Sequence, residues 1–262
     1  MRELFPRRPF LIGVVHLAPT PGSPLYADDL PELLERAGRD ARALVRGGCD
    51  GLIVENFGDT PFFAGAVPPE TVATLARALA LVAELAQGRP VGVNVLRNDA
   101  RCGLGLAAAG LASFVRINVH TGAMLTDQGL LQGQAAETLR ERARLAPAVR
   151  ILADVHVKHG TPLGSESIGD AARDARSRGL ADALIVTGRA TGEPPTPELV
   201  AEVRAAIGAA TLILGSGVTP ENAEALLAGA DGAIVGTALK FGGQVQAAVD
   251  EDRVAALRAC LR

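Results

Sequence analysis

Short apolar runs alternate with longer amphipathic stretches along the whole chain. Eight runs, residues 10–17, 51–56, 91–96, 113–119, 150–157, 183–188, 211–217 and 232–239, are aliphatic or β-branched and nearly unbroken in hydrophobicity. Such runs predict parallel strands covered on both faces, because a half-solvated strand would alternate polar and apolar positions. Between them the spacing turns helical. Over residues 30–46, Leu30, Leu33, Leu34, Ala37, Ala41, Leu44 and Val45 fall on one stripe. Asp29 with Glu32 forms a capping-box pattern, and Thr196-Pro197 and Thr219-Pro220 each suggest an N-cap followed by a proline at the first helical position. Eight strand–helix units without a Pro/Ser-rich linker or a charge block predict one α/β domain over residues 1–262, a (β/α)8 TIM barrel. The alternative is a doubly wound sheet. A glycine fingerprint is expected after its first strand, where this chain has HLAPTPGSP.

The composition excludes several function classes. A net charge of −3 leaves no electrostatic footprint for nucleic acid or an anionic membrane, so small solutes are the expected partners. Cys49, Cys102 and Cys260 are odd in number and widely spaced, which suits neither a disulfide framework nor a zinc site and predicts a reducing, cytoplasmic setting. Arg7 and Arg8 ahead of Phe10–Val15 imitate a signal peptide, but His16 interrupts the run and no small-x-small cleavage site follows. Residues 71–87, the most apolar helical stretch, carry Arg77 and Glu84, which argues against membrane insertion. A homo-oligomer is left open.

The rare residues are concentrated. All four histidines (His16, His120, His156, His159) and both lysines (Lys158, Lys240) lie in or just beyond the C-terminal end of a predicted strand. In a TIM barrel that end carries the chemistry. In FVRINVH, alternation puts Arg116, Asn118 and His120 on one face; in ILADVHVK it does the same for Asp154, His156 and Lys158. The apolar partners suit the helix layer, so both triplets are expected to face the barrel interior. There they supply acid/base groups and, in Lys158, an amine whose pKa burial would lower. Structural ion pairing is the alternative, since buried charges are costly unless paired. With Glu55 added, these residues form the candidate catalytic set; Arg116 or Arg97 would balance developing negative charge. His16, Asn56, Arg97, Asn98, Asp99, His159 and Gly188 complete the candidate pocket, although Asn98 and Asp99 equally suit a helix cap. A divalent metal on Glu55, His120, Asp154 and His156 is a further alternative, matched by no compact motif, and no other cofactor is assigned.

The last two strands end in small residues. Gly215, Ser216 and Gly217 after the seventh strand, with Gly236 and Thr237 after the eighth, let the backbone approach an anion, and a following helix start would aim its N–H groups there. They are the candidate phosphate-binding residues. Lys240 either adds charge or is a solvated helix residue. The proline-rich loops 18–29 and 57–68, with Phe62 and Phe63, suit closure over a ligand.

The blocks GVVHLAPTPGSP, VENFGDTPF, VLRND, VRINVHTGA, DVHVKHGTPL, LIVTGRATGEPP, GSGVTPEN and ADGAIVGTALK, from residue 10 to 243, resemble those of the BtpA/SgcQ family. The matching positions are His16, Glu55, Asn56, Asp59, Arg97, Asn98, Asp99, Arg116, Asn118, His120, Asp154, His156, Lys158, His159, Gly188 and the two phosphate loops. The resemblance implies a barrel similar to ribulose-phosphate-binding barrels. One branch of the family is associated with photosystem I biogenesis; another sits among sugar-utilisation genes and carries a nucleotidase label. No agreed reaction comes with it. The metal-binding His and Asp pattern of ribulose-phosphate epimerases is not evident, and Asp231 precedes its strand at the wrong end to serve as an acid. The combined expectation is an enzyme acting on a phosphorylated sugar or related phosphometabolite by isomerase-, lyase- or hydrolase-type proton transfer. The alternatives are a nucleotidase-type hydrolase and a non-catalytic photosystem I assembly or regulatory factor.

Overall fold

Each of the eight apolar runs forms a strand, shorter than its hydrophobicity suggests. The structure, a computed structural model, describes residues 1–261 apart from Asp28 and Ser165. Among the described residues the strands are β1 (Phe10–His16), β2 (Gly51–Glu55), β3 (Val91–Asn94), β4 (Phe114–Ile117), β5 (Ala123–Thr126), β6 (Gly129–Gln132), β7 (Arg150–Val155), β8 (Gly160–Pro162), β9 (Ala183–Val186), β10 (Thr211–Leu214) and β11 (Gly232–Val235). Eight of them pair in parallel and close in the order β1-β11-β10-β9-β7-β4-β3-β2. Helices α1 (Leu30–Arg46), α2 (Pro69–Leu85), α3 (Ala100–Ala108), α4 (Ala135–Leu145), α5 (Ile168–Ser177), α6 (Pro197–Ile207), α7 (Ala223–Leu227) and α8 (Glu251–Cys260) follow the barrel strands in turn. This is the (β/α)8 barrel.

The strands stop early because apolar character continues past the last ladder partner. Val95, Leu96, Val119 and Val157 are buried in the loops above the strands. Burial of those loops, not pairing, explains their hydrophobicity.

The barrel interior is divided by height. Its lower part is apolar: Ile12, Val14, Ile53, Leu152, Ile185, Ile213 and Ile234 pack on Phe10 and Phe114. Phe5, from the N-terminal segment, closes the bottom by stacking on Phe10 with ring centroids 4.4 Å apart. Higher up, the inward positions are Glu55, Asn94, Arg116 and Asp154, all buried. The buried polar side chains therefore lie at the top.

Two features depart from expectation. Residues 123–132 form a hairpin, β5 with β6, and β8 joins it to make a three-stranded antiparallel sheet. It rests on the barrel through Met124 and Leu131, which pack with Val119 and Val157. Thr219-Pro220 does not open a helix. Those residues form a turn in which the Thr219 amide donates to Asn222 Oδ1, and α7 begins only at Ala223 and runs five residues. By contrast, the Asp29 and Thr196 side chains cap α1 and α6 by accepting the amides of Glu32 and Leu199. No described helix is long and apolar enough to cross a membrane.

Candidate functional site

Two cavities adjoin at the top of the barrel. The first, of about 240 Å³, lies over β10 and β11 and is lined by Gly215, Ser216, Gly217, Gly236, Thr237 and Ala238, with His16, Glu55, Arg116 and Lys158 on its inner side. The second, of about 550 Å³, lies over β2, β3 and β4 and shares Glu55, Arg116, Lys158 and Thr191 with the first. Phe57, Phe62, Leu96 and Arg97 extend its wall.

The small cavity is a backbone cradle. Among the described residues, the N–H groups of Ser216, Gly217, Thr237 and Ala238 donate to no other backbone or side-chain atom. Unpaired amides lining a polar cavity suit an oxyanion. With α7 so short, the cradle owes little to a helix dipole and depends on the loop amides themselves. The Ser216 side chain is otherwise engaged: its hydroxyl donates to the Glu193 carbonyl and accepts the Gly188 amide. It thereby holds the loop after β9 against the loop after β10. Gly217 has φ +71°, and a Cβ there would stand 2.1 Å from Pro194 N. Gly188 is in the same contact, since its Cβ would meet Glu193 O at 2.3 Å. Its smallness serves loop packing rather than ligand access.

The centre of the barrel top is an ion-pair network. Arg116 donates through Nε and Nη2 to the two Asp154 oxygens at 2.9 and 3.0 Å, and through Nη1 to Glu55 Oε1 at 3.3 Å. Asn118 Nδ2 donates to Asp154 Oδ2, and Asn94 Nδ2 donates to Glu55 Oε1. Burial by itself would raise the Glu55 pKa, but the Arg116 charge holds it below the usual carboxylate range. Against the same opposition from burial, Asp154 and Glu55 hold Arg116 charged. The structural ion pair is thus present, made by residues also expected to be catalytic.

Lys158 stands apart from this network. Among the described residues its Nζ makes no hydrogen bond or ion pair, and it borders both cavities. Burial, reinforced by Arg116, pushes its pKa down from 10.5 to about 8. His16 lines the cradle with Nε2 3.9 Å from Glu55 Oε2 and its ring beside Phe57. Burial pushes its pKa to about 4 despite Glu55, so the imidazole is neutral at pH 7.

Several expected site residues point elsewhere. His120 and His156 do not continue the alternation of their strands, because β4 ends at Ile117 and β7 at Val155. Nε2 of His120 lies 2.7 Å from the Gly179 carbonyl, behind the barrel wall at the end of α5. His156 adopts φ +50° and lines a separate small pocket with Glu166 and Asp174. The four-residue metal set is therefore not assembled, and no group of three His, Cys, Asp or Glu suited to a metal occurs among the described residues. Asn56 bridges to the Leu96 amide and carbonyl, and Asn98 to the Val119 amide and carbonyl, each tying neighbouring strand tops. Asp99 caps α3 and accepts the Val67 amide; Asp59 holds Thr20. Neither alternative for Lys240 holds, because it is buried in an ion pair with Asp40 at 3.1 Å. His159 sits at the rim, where its Nε2 accepts the Thr191 amide.

Sequence reasoning missed Arg253 of α8, which lines the cradle while its Nε donates to the Ala238 carbonyl. An arginine on a surface helix carries no local signal of that role. It also missed Phe57 and Asp127, which reach the larger cavity from loops.

This geometry matches a sequence relationship spanning nearly the whole chain. The BtpA family model matches residues 7–261. The chain belongs to the BtpA family. It is 45% identical over 249 residues to the photosystem I biogenesis protein BtpA of Synechocystis, covering 94% of this chain and 85% of that protein. An uncharacterised protein of Pyrococcus furiosus is 42% identical, with 97% and 95% covered. Among solved structures, thiamine phosphate pyrophosphorylase from Pyrococcus furiosus superposes with a TM-score of 0.60 over 96% of this chain and 95% of that one. At 13% identity, that likeness establishes the barrel alone.

Proposed function

We propose that this BtpA-family barrel is an enzyme acting on a phosphorylated sugar or related phosphometabolite that carries a carbonyl group. One observation carries the reading: Lys158, without a partner among the described residues and with its pKa pushed down to about 8, borders both the amide cradle and the larger cavity. At pH 7 about a tenth of such an amine is neutral and nucleophilic, whereas an ordinary lysine would be almost wholly protonated. The phosphoryl group accepts the amides of the two glycine loops, with Arg253 beside them. Lys158 Nζ adds to the carbonyl carbon and water leaves, giving an iminium that withdraws electrons from the neighbouring bond. The neutral His16 imidazole, whose Nδ1 is buried without a partner, takes the adjacent proton. Isomerisation or C–C cleavage follows from which bond breaks. The Arg116, Asp154 and Glu55 network fixes the floor of the site and its charge.

The test is borohydride trapping across a panel of sugar phosphates and nucleotides. A reduced adduct at Lys158, suppressed by inorganic phosphate, is expected; absence of any adduct together with failure to bind phosphate would overturn the proposal. A second reading, ligand binding without turnover in an assembly factor, is favoured by the name of the cyanobacterial relative. The exposed Leu125 and Leu130 on the three-stranded sheet, with Leu163 just past its end, also support it. Phosphate binding with neither trapping nor turnover on the whole panel would favour that reading.

A further inference from the structure

The larger cavity contains a charge that neither the cradle nor the ion-pair network uses. Arg97 is only 4% exposed, yet it has no carboxylate within ion-pair distance among the described residues. Its Nη2 donates to the Lys158 carbonyl at 2.6 Å, which leaves Nε buried without a partner and Nη1 without a hydrogen bond among the described residues. The nearby carboxylates do not fill the role. Glu55 and Asp154 are bound to Arg116, and Asp127 sits exposed at the rim. Around the larger cavity, among the described residues, Arg97, Arg116 and Lys158 stand against two buried carboxylates, Glu55 and Asp154, both bound to Arg116. A guanidinium held out of water with unpaired donors is costly unless an anion completes it.

We infer that Arg97 is the anchor of a second anion subsite, and that the substrate carries a carboxylate distinct from its phosphoryl group. The inference rests on the phosphometabolite reading above and narrows it. A carboxylate suits this place better than a second phosphoryl group. A guanidinium offers its N–H donors in one plane, which matches a planar monoanion, and the surrounding wall is Phe57, Phe62 and Leu96. The cradle, by contrast, offers amides from two loops, as a tetrahedral dianion requires. Lys158 borders both cavities, so a substrate held at both ends presents its middle carbons to the amine. Arg97 is accordingly a specificity residue that selects doubly anionic substrates.

The test is a calorimetric titration of the full chain with alkylphosphonates and with phosphonocarboxylates of matched length, from phosphonoacetate to phosphonobutyrate. The best phosphonocarboxylate should bind at least about tenfold more tightly than its alkyl counterpart, as expected for one or two charge-assisted hydrogen bonds. Arg97→Gln should erase that gap, the two ligands then binding within about twofold of each other, whatever the variant's affinity for the alkylphosphonate itself. Arg97→Lys, which keeps the charge and loses the fork, should retain only part of the gap and serves if the glutamine variant does not fold. No gap at any length in the wild-type protein, or a gap that survives both substitutions, overturns the second subsite. Failure to bind any phosphonate or inorganic phosphate overturns the phosphometabolite reading instead. Glutarate binding that Arg97→Gln abolishes would then still support the anion subsite, and its absence would overturn that as well.

Discussion

Removing the Asp154 carboxylate tests whether the barrel top is held together by its own charges. The side chain is fully buried, accepts two hydrogen bonds from Arg116 at 2.9 and 3.0 Å, and accepts a third from Asn118 at 2.7 Å. In Asp154→Ala, Arg116 stays buried with a single longer contact to Glu55 at 3.3 Å. Breaking one side of a buried ion pair costs about 3–5 kcal/mol, because the remaining charge is neither solvated nor neutralised. In a chain of this size each kcal/mol corresponds to roughly 2–4 °C, so the melting temperature should fall by about 6–20 °C. Urea and thermal unfolding measure it directly. The triple variant Glu55→Gln/Arg116→Met/Asp154→Leu should recover most of the loss, since it removes all three charges of the network together and leaves none unpaired. His156→Ala, outside the barrel wall, should cost less than about 1 kcal/mol and serves as the control. A loss below about 1 kcal/mol for Asp154→Ala, or a triple variant less stable than the single one, would refute the network as the organising element.

Lys158 and Lys240 are the only two lysines, so acylation can be followed residue by residue. Lys158 should reach half its maximal labelling rate near pH 8, while Lys240 stays protected by its buried pair with Asp40; equal labelling of both would refute the assignment. Because the folded pKa lies below the usual 10.5, burying the charged amine costs stability below about pH 8, and that cost disappears as the pH rises to 10.5. Lys158→Met should therefore stabilise the fold at pH 7 and lose that advantage above pH 10.5, as read by denaturant melts at each pH. Gly217→Ala forces a left-handed residue and a contact 2.1 Å from Pro194 N, so it should lower stability by about 1–3 kcal/mol and weaken phosphate binding. Unchanged phosphate affinity in that variant would remove the cradle from this loop.

The barrel and the location of its buried charges follow from local pattern alone. Eight unbroken apolar runs require cover on both faces, and parallel strands with intervening helices provide it. The same strands bring Glu55, Arg116 and Asp154 to one end, because each lies near the C-terminal end of its own strand. Period-two alternation correctly placed Arg116 and Asp154 inside, since both lie within paired strand. It failed for His120 and His156, which lie beyond the last ladder bond, where nothing enforces alternation and His156 takes a left-handed conformation. The fate of Lys240 was equally invisible, because its partner Asp40 stands 200 positions away in the chain. That Arg97 and Lys158 find no ion-pair partner among the described residues was invisible for the same reason. A charge's partner is a matter of distance across the barrel, and only the closed fold sets which carboxylates Arg116 takes and which cations are left without one among the described residues.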